Sequence, residues 1–122
     1  VVWILWLGYE DRGPVAVFVL GGLICLAVAL RFASPAIRPP LDPSRRRAAL
    51  AGWGAVAGAA VPIMAALLML VKVGLHGHPE PDFQAADVAA ALARTPVWAV
   101  AGGLVGLACG LVQGGSQESA GR

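Results

Sequence analysis

PVAVFVLGGLICLAVALRF, residues 14–32, contains one charged side chain, Arg31, and it stands next to the end. As a helix this stretch reaches about 28 Å, close to the roughly 30 Å hydrocarbon depth of a bilayer. A run of that length with an uncharged interior reads as a transmembrane helix. Two further segments, residues 48–71 and 96–113, repeat the pattern with no charged residue inside them. Arg31 and Lys72 fall at segment ends, where long side chains snorkel to the headgroups. Trp53 and Trp98 lie near ends as well, where interfacial aromatics concentrate.

Composition supports the same class. Hydrophobic residues make up 58% of the chain and charged residues 13%, against about 25% charged in a soluble domain. The mean hydropathy is +0.75, more apolar side chain than a soluble fold of this size can hide. Residues 1–8, VVWILWLG, extend only about 12 Å as a helix and lack the basic region and cleavage site of a signal peptide. They read as the tail of a transmembrane helix whose beginning is missing. The competing reading is an interfacial stub carrying Trp3, Trp6 and Tyr9. The expected fold is therefore an all-α polytopic helical bundle in one transmembrane domain, residues 1–113. It holds three full spans, the truncated helix end and a short interfacial helix at 83–93. Residues 114–122, rich in Gly, Ser and Gln, are expected to be disordered.

Charge orients the bundle. Arg31, Arg38, Arg45, Arg46 and Arg47 lie between the first two full spans against Asp42 alone. The next connection sets Lys72 and Arg94 against Glu80, Asp82 and Asp87, and the Glu10-Asp11-Arg12 turn is also net acidic. Basic residues stay on the cytoplasmic side. This places the Arg31–Arg47 loop and the C-terminus in the cytoplasm, and the Lys72–Thr95 loop outside. A bacterial inner membrane is the expected location.

Pro35, Pro39, Pro40 and Pro43 stop continuous helix in the inner loop, and Asp42-Pro43 fits an N-cap followed by a first-turn proline. Arg45, Arg46 and Arg47 then sit at a helix N-terminus, where the macrodipole opposes cations by a few tenths of a kcal/mol. Attraction to anionic lipid, about 1 kcal/mol per basic residue, outweighs that. They read as a membrane anchor and not as a nucleic-acid patch. In the outer loop Asp82 is the expected cap of the 83–93 helix. Gln84, Asp87 and Arg94 form its polar stripe, with Phe83 beside them and Ala85, Val88, Ala89 and Leu92 opposite. Thr95-Pro96 reads as the cap opening the last span.

Gly102, Gly106 and Gly110 recur every fourth residue on the last span, and Gly54 and Gly58 repeat that spacing on the second. Gly21, Cys25 and Ala29 form a looser row on the first. Lipid offers no hydrophobic force between helices, so small residues that let backbones approach are the expected packing faces. Whether the partner helix is internal or from another chain is open at this level. Pro62 removes a backbone bond near Gly58 and predicts a kink.

Chemistry is sparse. His76, His78, Glu80 and Asp82 alternate through one short stretch, and in an extended path such residues point to one side. Imidazoles and carboxylates suit zinc, copper or nickel, and binding through neutral imidazole would weaken below pH of about 6.5. Prolines between the ligands give no sign of closure, and a solvated loop is the simpler expectation. No histidine lies within a span to hold haem, and no intramembrane carboxylate serves coupled transport. No phosphate-binding loop, dinucleotide fingerprint or serine elbow occurs. Cys25 and Cys109 fall in apolar runs as small hydrophobes. The residues favour a non-catalytic accessory or structural membrane protein without a cofactor. Its expected partners are the lipid bilayer, other transmembrane subunits or a copy of itself. The alternative is an extracytoplasmic metal- or proton-responsive, transport-associated module built on His76 and His78.

Overall fold

The computed structural model describes residues 14–36, 42–76 and 83–120, and among these no strand occurs. Four helices follow one another among the described residues: α1, Pro14–Ala36; α2, Pro43–His76; α3, Ala85–Ala93; and α4, Thr95–Ala120. Three helical stretches are long and apolar enough to cross a membrane: Pro14–Phe32, Pro43–Leu75 and Ala85–Gln113. The opening residues 1–8, Glu10 to Arg12 and Arg38 lie outside the described residues.

Proline marks two of the starts. Its missing N–H costs nothing in a first turn, and its fixed φ suits one. Asp42 precedes Pro43 and accepts from the Arg46 amide at 2.9 Å through its carbonyl. Its carboxylate takes the Ser44 hydroxyl. From there α2 runs 34 residues, about 51 Å, with Pro62 inside it. That exceeds the hydrocarbon thickness, so the helix outruns the 48–71 span at both ends and carries Arg45–Arg47 and His76 on its terminal turns.

The α3–α4 junction differs from expectation. Asp82 lies outside the described residues, and the N-cap of α3 is Gln84. The Asp87 carboxylate reaches back to accept the Gln84 amide at 2.8 Å, which satisfies a donor the helix start leaves unpaired. Thr95 does not cap forward into α4. Its hydroxyl donates backward to the Leu92 carbonyl at 2.7 Å. The reason is Pro96, which has no N–H for that carbonyl four residues earlier; the Thr95 hydroxyl takes the vacant place. A single residue, Arg94, separates the helices, its amide bonded to the Ala91 carbonyl at 3.2 Å. Through this one-residue turn α3 leads directly into α4. It packs on the His76 end of α2. At its other end α4 runs to Ala120, into the segment whose composition favours disorder. A nucleated helix gains a hydrogen bond with each added residue, and no proline stops it there.

The buried cluster sits at this same end. Val17 of α1, Ala65, Ala66, Leu68 and Met69 of α2, Ala91 of α3 and Phe83 meet there. Phe83 does not lie beside the polar stripe, because it precedes the helix and turns back over α2. It is buried, with Gln84 and Asp87 left exposed. Lys72 is the larger correction. It does not snorkel outward but is fully buried, its Nζ 5.9 Å from the centre of the Phe83 ring. Ala65, Leu68, Met69 and Lys72 share one face of α2, so the turn that buries the first three carries the lysine inward too. Elsewhere many large apolar side chains are exposed, among them Val15, Leu30, Val97 and Val112.

Candidate functional site

The most closely built part of the molecule is the α2–α4 interface. A methyl group on Gly54 would lie 3.0 Å from the carbonyl carbon of Gly102, and closer still to its oxygen. One on Gly102 would meet Gly54 in the same way. Gly58 faces Trp98, Gly106 faces Leu50 and Ala51, and Gly110 faces Arg47. The pairs 47/110, 50/106, 54/102 and 58/98 run antiparallel along both helices. At each step a glycine hydrogen is aimed at a facing backbone, and at Gly54, Gly58, Gly102 and Gly106 the target is a carbonyl oxygen, the arrangement of a Cα–H···O contact. The glycine rows of the second and last spans therefore pack on each other within one chain. They are not left open for a second copy. Further along α2, Gly21 of α1 is buried, and a methyl there would lie 3.3 Å from the Val61 carbonyl and the Ala65 amide nitrogen. Small residues thus bring both neighbours onto α2, with almost no side-chain entropy lost.

At the Arg45 end the basic residues divide. Arg45 is exposed, whereas Arg46 and Arg47 are half-buried against α4. Arg46 donates from a terminal nitrogen to Gln113 Oε1 at 2.7 Å, tying the start of α2 to α4. The aliphatic stem of Arg47 lies over Gly110. Arg46 and Arg47 are thus structural as well as basic. Their Nε atoms are buried without a hydrogen-bond partner among the described residues, a cost the stem packing must offset.

The proposed metal ligands find no geometry here. His76 closes α2, while His78, Glu80 and Asp82 lie outside the described residues. Among the described residues, no group of three or more His, Cys, Asp or Glu comes together. Cys25 is buried and Cys109 exposed, and both are free thiols.

One feature escaped the sequence reading. Between α1 and α4, at the Pro14 end, lies a groove of about 440 Å³ lined by apolar side chains and one cation. Phe18 and Trp98 stack across the gap with ring centres 6.0 Å apart and planes 16° from parallel. The Arg94 guanidinium covers the other ring partner, 5.4 Å from the centre of Phe18. Gly22 and Leu26 continue the groove toward the middle of α1. Arg94 falls in sequence beside Asp87 and Gln84 and reads as part of a polar stripe. Only the junction at Pro96 turns it toward α1.

No family model matches the chain, and neither a curated protein nor a solved structure matches it.

Proposed function

We propose that this chain is a non-catalytic accessory or structural subunit of a cell membrane, in our reading a bacterial inner membrane. The supporting observation is the division of labour on α4. Its glycine stripe is packed inside the chain, yet from Thr95 to Gln113 every residue except Gly110 remains at least partly exposed. What remains is a long apolar face on which Val97, Val100, Leu104 and Leu111 are all exposed. Such a face is solvated by lipid or covered by the helices of a larger assembly. A photo-crosslinking residue in place of Leu104 distinguishes the two in native membranes. The expected product is one discrete adduct with a second membrane polypeptide. Adducts with lipid alone would overturn the subunit reading.

In this reading the Arg31–Arg47 side and the C-terminus face the cytoplasm, and the Lys72–Thr95 connection faces outward. Ser44 and Ala86 are exposed at opposite ends of the bundle. In a background lacking Cys25 and Cys109, Ala86→Cys is expected to react with an impermeant maleimide on intact cells. Ser44→Cys is expected to react only after lysis. Labelling of Ser44→Cys from outside would reverse the orientation.

A further inference from the structure

We infer that the groove between α1 and α4 is a binding site for one anionic phospholipid, its phosphate held by Arg94 and one acyl chain laid along α1. This rests on residence in a bilayer and is independent of the accessory-subunit reading. The shape is the first argument. From Pro14 to Leu26 the groove follows about 18 Å of helix, the reach of a single acyl chain. Gly22 contributes no side chain at its middle. A methyl group there would meet only Val61, at 3.9 Å.

Charge is the second argument. The groove carries one cation at one end and apolar side chains along the rest, so its complement is an amphiphile with one anionic end. Arg94 stands at the start of the last apolar run, with Trp98 one turn deeper, which sets the cation at headgroup level and the aromatic pair at the top of the hydrocarbon. Stacking on Phe18 fixes the guanidinium and occupies one of its faces. Arg94 is exposed, and its in-plane N–H donors find no partner among the described residues. Two of them can grip two phosphate oxygens at once, which a lysine ammonium cannot do with the same geometry. A zwitterionic lipid offers the same phosphate with a neutralising cation attached, so an anionic headgroup is the better match.

Native mass spectrometry of the full chain tests this, with phosphatidylglycerol and phosphatidylcholine titrated separately in detergent. The expected result is one phosphatidylglycerol retained per chain in preference to phosphatidylcholine. Arg94→Gln is expected to weaken that binding about tenfold, as loss of a charge-assisted hydrogen bond does. Arg94→Lys should recover part of it. Gly22→Leu, which fills the groove at a position with room, should weaken both lipids, and Leu26→Trp repeats that test from a second position. Arg45→Gln, at the far end of the bundle, should leave the preference intact. Equal retention of the two lipids by the native chain would overturn the proposal, as would unchanged phosphatidylglycerol binding in Arg94→Gln. A native dimer that Gly22→Leu dissociates would overturn it too, by showing a second copy in the groove.

Discussion

Replacing Gly102 or Gly106 with Leu is expected to cost about 1–3 kcal/mol of stability in detergent, the usual penalty for overpacking a close interface. The obstacle is backbone. Behind Gly102 stand the Gly54 carbonyl and, 3.0 Å from an added methyl, the Gly58 Cα; behind Gly106 stands the Leu50 carbonyl. A flexible side chain could swing aside, but a helix backbone moves only if the whole interface opens. Alanine at either position already brings a methyl closer than van der Waals contact allows. Gly52, on the same helix pair with nothing within 4 Å, is the control. Leu there should leave the melting temperature unchanged or raise it slightly, because Leu favours helix more than Gly. Equal tolerance at Gly52, Gly102 and Gly106 would refute the internal glycine interface.

Phe83→Ala is expected to be the most damaging single truncation, at about 3–5 kcal/mol. Phe83 is 4% exposed, and its ring lies between the α2 face that carries Met69 and the start of α3. Removing it leaves a cavity and uncovers Lys72. Two measurements should therefore move together. Thermal stability falls, and Lys72 becomes modifiable by an amine-reactive reagent that leaves it untouched in the native chain. Phe32→Ala supplies the control, since Phe32 is 59% exposed on α1 and its loss should cost under about 0.5 kcal/mol. A Phe83→Ala protein with native stability and an unreactive Lys72 would show that the aromatic does not hold this end of the bundle closed.

The existence of the three long helices was legible in the sequence, because eighteen or more uncharged, mostly apolar residues in a row admit few other structures. The glycine rows were legible as packing faces for a related reason. On a helix that is apolar all round, absence of side chain is the only mark of where another backbone comes close. The same uniformity hid the rest. Lys72 ends an apolar run, and nothing along α2 distinguishes its lipid face from its core face, so the lysine's inward direction depends on where Phe83 and α3 fold over it. Phe83 was misplaced by extending a helical period two residues ahead of the true start at Ala85. The contact of Arg94 with Phe18 was not legible, because it joins residues far apart in the chain and no local pattern announces it.

The four-residue repeat of the α2–α4 contact leaves its alignment degenerate. Sliding α4 along α2 by one repeat, about 6 Å, would set Gly54 against Gly106, Gly58 against Gly102 and Leu50 against Gly110, with every pair still small enough to meet. Glycines alone therefore allow two settings, like a ratchet with identical teeth. One end removes the ambiguity. The shifted setting would put Pro62 where Gly58 now meets the Trp98 carbonyl, a pyrrolidine ring in place of a glycine hydrogen. Pro62 thus acts as an index pin: the teeth supply the grip, and one ring beyond the end of the row selects the notch.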